Sequence, residues 1–208
     1  FKVDLIGGDL TQSKTQGLTL TVMGSPLQGR ILRRSGAHVG DELWVSGQLG
    51  ASAAGVALLS LYPNDRSALT DGFRHVHPRI VLGTTLSRMG IASAGIDISD
   101  GLVLDLHRLC KASGCGAQID RRSLPVDPRV GRIAERLNES VDNYVLYGGE
   151  DYELLFCVPP AMTEALNDVS DATSVRLSRI GVMTNSGTIV DQSGALLPNR
   201  GWDPFKES

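Results

Sequence analysis

Apolar residues in this chain fall in short runs cut by glycine and proline, and the period of each run predicts alternating strands and helices. Val3 to Ile6 reads as a strand entering Gly7-Gly8-Asp9, and Leu18 to Met23 alternates as a half-buried strand does. Gly24-Ser25-Pro26, with Gln28-Gly29-Arg30 after it, reads as a linker and predicts a domain boundary. Leu43 to Ser46 predicts a strand, Gly47 to Gly50 a turn, and Ala51 to Leu61 a helix stopped by Pro63. Pro78 opens a second helix that carries Val81, Leu82, Leu86 and Met89 and ends at Gly90. Ala92 to Ile98 predicts a strand, and Ser99-Asp100 starts a third helix with Ser99 at its N-cap and Gly114 as its stop.

The rest follows the same rhythm. Gly116 to Ile119 predicts a strand, Arg129 to Leu137 a helix, Tyr152 to Val158 an apolar strand, and Pro160 to Asn167 a helix. Arg176 to Val182 predicts a strand that turns in a hairpin through Thr184-Asn185-Ser186-Gly187. The fold class is α/β (α+β), a mixed sheet with packed helices over residues 31 to 208 or so.

Composition narrows the function. The 208 residues hold 20 Lys and Arg against 23 Asp and Glu, a net charge of −3. No basic cluster exceeds Arg33-Arg34 or Arg121-Arg122, which argues against a nucleic-acid or anionic-membrane partner. No apolar run reaches the roughly 20 residues of a membrane span, and no signal peptide is legible, so a cytoplasmic protein is expected. Cys110, Cys115 and Cys157 lack zinc spacing and read as core thiols. The chain opens on Phe1 as if a strand were already in progress, which suggests the back part of a longer protein.

Candidate chemistry sits at glycine-rich strand ends. Gly7-Gly8-Asp9, Asp97-Ile98-Ser99-Asp100-Gly101 and Gly148-Gly149-Glu150-Asp151 each combine carboxylates with glycine after a strand, where layered α/β folds place their ligand crevices. Glycine lets phosphate approach the main chain, and paired hard carboxylates such as Asp97 and Asp100 suit Mg²⁺ bridging to phosphate. The same residues also serve as helix caps and plain turns, and both readings stand at this point. Gly47-Gln48-Leu49-Gly50 before the Ala-rich helix is a weak phosphate signal, and its small residues also suit close helix packing. Arg34 offers a phosphate clamp or a plain surface charge. His75 and His77 are too few for a metal site, and no Ser-His-Asp or Cys-His arrangement is legible from spacing.

These junctions resemble the thiamine-monophosphate kinase family. The motifs are Leu5-Ile6-Gly7-Gly8-Asp9, Arg34-Ser35-Gly36-Ala37, Ser46-Gly47-Gln48-Leu49-Gly50, Ile96-Asp97-Ile98-Ser99-Asp100-Gly101 with Asp105-Leu106, and Gly148-Gly149-Glu150-Asp151-Tyr152-Glu153-Leu154. The last run separates this family from others of the aminoimidazole ribonucleotide synthetase-like superfamily. The resemblance implies a two-domain subunit that forms a homodimer, with residues 1–28 the remnant of an N-terminal ATP- and metal-binding domain and 29–208 the C-terminal domain.

It further implies Mg²⁺-assisted transfer of a phosphoryl group from ATP to thiamine phosphate, giving thiamine diphosphate. Gly8, Arg34 and Ser99 would bind ATP, Asp9, Asp97 and Asp100 would hold metal, and Glu150 and Trp202 would contact the thiamine substrate. The phosphate acceptor is already a nucleophile, so no catalytic base is assigned. The family's upstream acidic motifs are absent from this sequence, so the chain by itself is expected to bind nucleotide weakly and to form no measurable product. A selenophosphate or aminoimidazole ribonucleotide synthetase-like activity, or a nucleotide-binding module without turnover, remains open.

Overall fold

The computed structural model of the chain describes residues 3–26 and 30–202. Residues 3–26 are exposed and contain no helix or strand. The strands expected at Val3–Ile6 and Leu18–Met23 are therefore not formed. A strand exists only as part of a ladder, and no described segment pairs its backbone with these, so water takes their N–H and C=O groups. Alternation reports which side of a strand a partner would bury, and it does not supply the partner. The linker residues Gln28 and Gly29, where the boundary is expected, lie outside the described residues.

Among the described residues, six strands form one mixed sheet: β1 Glu42–Ser46, β2 Ala94–Asp97, β3 Gly116–Ile119, β4 Leu154–Val158, β5 Leu177–Thr184 and β6 Ile189–Asp191. Their spatial order is β2-β4-β1-β5-β3-β6. Neighbours run antiparallel except β3 and β6, which are parallel. Between the strands lie helices α1 Ala51–Leu61, α2 Asp71–Arg74, α3 Ile80–Met89, α4 Leu102–Ser113, α5 Pro128–Leu137, α6 Val141–Val145 and α7 Ala165–Thr173.

The period-2 pleat sorts the apolar residues onto two faces. Leu43 and Val45 of β1 and Leu155 and Cys157 of β4 join α1, α4, α5 and α6 in the larger core. Phe156 and Val158 point the other way, with Trp44, toward Leu82 and Leu86 of α3 and Leu166 and Val169 of α7. The result is an α/β layered fold with helices on both sheet faces, as the alternation predicts. Gly90 and Gly114 end α3 and α4 in the left-handed conformation, at φ 66° and 70°. Cys110 and Cys157 are buried and Cys115 half-buried, all three as free thiols.

Within the layered fold, two expected elements take a different form. The helix read at Pro160–Asn167 is a 3₁₀ turn at Pro160–Met162 followed by α7, which runs on to Thr173 because Leu166 and Val169 continue the buried stripe. The hairpin through Thr184–Gly187 is not a strand pair. β5 pairs with β3, and the chain then crosses the start of β3 so that β6 lands on its far side, Ala117 opposite Ile189. Gly116 permits the crossing, since a Cβ there would stand 2.4 Å from Ser186 Oγ and 2.5 Å from the Thr188 carbonyl oxygen.

Candidate functional site

The antiparallel pairing of Asp97 with Leu154 fixes where the chemistry collects. The segment leaving β2 and the segment entering β4 run side by side beyond the regular sheet. Ile98 N donates to the Glu153 carbonyl at 2.8 Å, Tyr152 N to the Ile98 carbonyl at 2.9 Å, and Glu150 N to the Ser99 carbonyl at 2.8 Å. Glycine makes this approach possible: a Cβ on Gly149 would lie 2.4 Å from the Ser99 carbonyl oxygen, and one on Gly148 2.4 Å from Ala53 Cβ. Glu150 and Tyr152 adopt left-handed backbone, φ 66° and 51°, which costs a non-glycine residue about 1–3 kcal/mol and clusters at functional sites.

The motif forms a wall between two clefts. Glu150 and Tyr152 face a cleft of about 640 Å³ with Ser99, Asp100 and Trp202, whose apolar floor is Ala53, Val56 and Ala57 of α1. Asp151 and Glu153 line a second, polar cleft of about 430 Å³ with Arg79, Arg129, His75 and His77. There the buried Glu153 carboxylate accepts from Arg79 Nε and Nη2 at 2.7 and 2.6 Å and from Ser46 Oγ. Asp151, half-buried and closely surrounded, accepts from Gly50 N at 2.8 Å and from Ser52 N at 3.5 Å, at the start of α1.

Ser99 does not cap α4, contrary to expectation. The N-cap is Gly101, at φ 121°, and no side chain of its own serves the first turn. The carboxylate of Asp105, one turn in, reaches back to accept from Ser99 N and Asp100 N at 3.0 Å each. Asp105 is fully buried, and burial raises its carboxyl above the usual range against the opposing pull of those N–H groups and Arg108. Arg108 bonds both Asp105, at 2.6 Å, and Asp100, so the Ser99–Asp100 turn is held by an ionic triad. The C-terminal segment docks on this turn: Trp202 N donates to the Asp100 carbonyl at 3.0 Å, leaving the indole 64% exposed over the cleft.

The other anticipated residues lie at different distances from this cleft. Arg34 and Asp97 share a neighbouring cleft of about 500 Å³ against α3, and Tyr152 also borders a groove with Asp97. Arg34 thus shares a cleft with Asp97, Asp97 a groove with Tyr152, and Tyr152 the main cleft with Glu150 and Trp202. Gly8 and Asp9 sit in the exposed 3–26 segment and, among the described residues, join none of these clefts; there Asp9 Oδ1 accepts from its neighbour Leu10 N alone.

Burial, then the carboxylates of Glu150, Asp97 and Asp100, push the Tyr152 hydroxyl up, although Asp100 is itself paired with Arg108. Among the described residues no three His, Cys, Asp or Glu side chains stand close enough to hold a metal. Asp97, exposed, and Asp100, paired with Arg108, border different clefts; carboxylates of this kind suit Mg²⁺, which takes one or two of them and completes its shell with phosphate and water.

Residue-level reading missed Tyr152, Arg108, the role of Asp105 and the cleft floor. Ala53, Val56 and Ala57 stand at i, i+3 and i+4, so a helical-face count could have found the floor. A carboxylate one turn inside a helix opened by glycine is the corresponding signal for Asp105.

Residues 38–192 match the family of the AIR synthase related protein, C-terminal domain. The chain belongs to this family. Thiamine-monophosphate kinase of Escherichia coli (strain K12) is 40% identical over 189 residues, 88% of this chain and 57% of that protein. A solved thiamine-monophosphate kinase from Stenotrophomonas maltophilia K279a superposes with TM-score 0.74 at 29% identity, over 82% of this chain and 55% of that one. AaThiL complexed with AMPPCP and TMP superposes at 0.72 with 30% identity, over 84% and 54%. The chain thus spans little more than half the length of these family members. Among its described residues no helix is long and apolar enough to cross a membrane.

Proposed function

We propose that this chain belongs to a cytoplasmic, homodimeric enzyme that transfers a phosphoryl group from ATP to thiamine phosphate, making thiamine diphosphate. The observation that carries the reading is the cleft joining Glu150, Ser99, Asp100 and Trp202 over the apolar floor of α1. Thiamine phosphate is an aromatic cation ending in a phosphate. The exposed indole of Trp202 supplies stacking area and cation–π attraction for its thiazolium, and the Glu150 carboxylate supplies opposite charge. A relative of this chain is solved with AMPPCP and TMP, which supports the same pair of ligands here.

Transfer between two polyanions is chiefly a matter of alignment and charge neutralisation. Asp97 and Asp100 would hold Mg²⁺, which screens phosphate oxygens and orients them. Arg34 and Ser99 would hold the nucleotide, Arg34 by charge and Ser99 from its turn, with Gly8 and Asp9 joining from the first segment. In this reading residues 1–28 belong to an ATP- and metal-binding domain and 29–208 to the C-terminal domain.

The test is substrate-resolved binding. Trp202→Ala should weaken thiamine phosphate about tenfold, the order of a lost cation–π contact with its stacking area, and change MgATP by less than about twofold. Asp97→Asn should do the reverse. Equal losses for both ligands in the Trp202 variant would make the indole a packing residue and remove the reading's main support.

A further inference from the structure

We propose that Asp151 is a positioning residue for the Glu150–Trp202 cleft, fixing the carboxylate wall of that cleft against its apolar floor by tying the wall's backbone to the first turn of α1. This rests on the reading that the cleft holds thiamine phosphate.

Floor and wall come from segments about a hundred residues apart: the Asp151 hydrogen bonds to Gly50 and Ser52 span 101 and 99 positions. The helix that carries the floor residues Ala53, Val56 and Ala57 opens at Gly50, φ 90°, and gets no cap from its own N-cap side chain. Two amides at its start, Gly50 N and Ser52 N, are taken by Asp151 instead, so the carboxylate that caps the helix also immobilises the loop before β4. Side chains alternate across that loop, which sends Asp151 away from the cleft while Glu150 and Tyr152 enter it.

Both neighbours of Asp151 are left-handed, and left-handed backbone in non-glycine residues persists only where the surroundings hold it. On one side the holding bonds are Glu150 N to Ser99 and Tyr152 N to Ile98. On the other it is Asp151. Among the described residues no cation bonds Asp151: Arg79 is forked onto Glu153, Arg129 onto Asp127 at 2.9 and 2.7 Å, and Arg176, which also lines the cleft, makes no ion pair or hydrogen bond with it. The α1 amides are therefore the partners that decide where Asp151 sits. With the tie cut, Glu150 and Tyr152 are free to relax toward ordinary backbone, which swings the Glu150 carboxylate relative to Ala53 and Ala57.

The experiment compares this chain with its Asp151→Ala and Asp151→Asn variants by calorimetric titration of thiamine phosphate and of MgATP, and by hydrogen exchange at the Glu150 and Tyr152 amides. Asp151→Ala should weaken thiamine phosphate by about tenfold, leave MgATP within about twofold, and speed exchange at both amides. Asp151→Asn keeps an oxygen that accepts from Gly50 and should recover most of the affinity and protection. Ile133→Ala, in the core under α5, should lower the melting temperature without touching thiamine phosphate affinity. An Asp151→Ala chain with wild-type affinity, or an Ile133→Ala chain with the same loss, overturns the proposal. If the wild-type chain binds no thiamine phosphate, the assignment of the cleft fails, and the exchange data judge the tie alone: faster exchange in Asp151→Ala upholds it and unchanged exchange ends it.

Discussion

Asp151 and Glu153 are two residues apart on the same side of one segment, and their surroundings treat the charge differently. Glu153 has a guanidinium forked onto it, so its charge is matched where it is buried. Asp151 has backbone amides as partners, and burial, opposed by Gly50 and Ser52, pushes its carboxyl up from 3.8 to about 7. The nearby charges of Glu153 and Asp127 add to the rise. Between those two pH values the folded chain binds a proton that the unfolded chain has released, so the contribution of Asp151 is fully present below about pH 4 and is lost as pH rises to about 7. The difference in melting temperature between wild type and Asp151→Asn, followed across that range, should fall with rising pH and level off above it. A flat difference would show that the carboxyl titrates in its ordinary range. Asp97, Asp100 and Glu150 could be singled out from sequence because glycine and carboxylate coincide at each junction. The distinct fates of Asp151 and Glu153 could not, because Arg79 and Gly50 come from elements far away in the chain.

Among the elements, those with a strong local signal were legible: α1, β3 and the glycine stops of α3 and α4 follow from apolar period and turn residues. The helices α2 and α6, of 4 and 5 residues, are too short to show a period. Pairing is a separate matter. The Thr184–Gly187 turn has hairpin chemistry, yet β6 joins β3, because what selects its partner is the room at Gly116 and the burial of Ile189 and Asp191. Gly116→Ala is therefore a test of the crossing. Its Cβ would meet Ser186 Oγ at 2.4 Å, Thr188 O at 2.5 Å and Gly187 N at 2.8 Å, two of them backbone atoms that cannot swing aside. A loss of about 1–3 kcal/mol is expected in urea unfolding, the usual range for overpacking. Gly114→Ala at the neighbouring helix stop, with open space around it but φ 70°, should cost about 1 kcal/mol. If the two variants lose equally little, the turn has slack and the position of β6 is set elsewhere.

At the scale of the molecule, the site is a product of topology: β2 and β4 are far apart in sequence and adjacent in the sheet, which is why Ser99, Asp100 and Glu150 meet in one cleft. The first segment takes no part in that assembly. Val3, Leu5, Leu10, Leu18, Leu20 and Val22 are all at least 69% exposed, and the side-chain hydrogen bonds of Asp9 and Ser13 reach only Leu10 and Thr15. Apolar surface that stays in water contributes nothing to folding free energy. Exposed apolar backbone with unpaired N–H and C=O groups does, however, favour association between chains. Removing residues 1–23 should thus leave the unfolding free energy of the layered fold within about 0.5 kcal/mol, the range of a change that touches no buried contact. It should also lower concentration-dependent light scattering, since the removed residues are the largest stretch of exposed apolar side chains in the described chain. A loss well beyond 1 kcal/mol would mean that the segment packs on the layered fold in solution, and the clefts beside Arg34 and Asp97, which Ser25 and Pro26 already border, are where that packing would have to be sought.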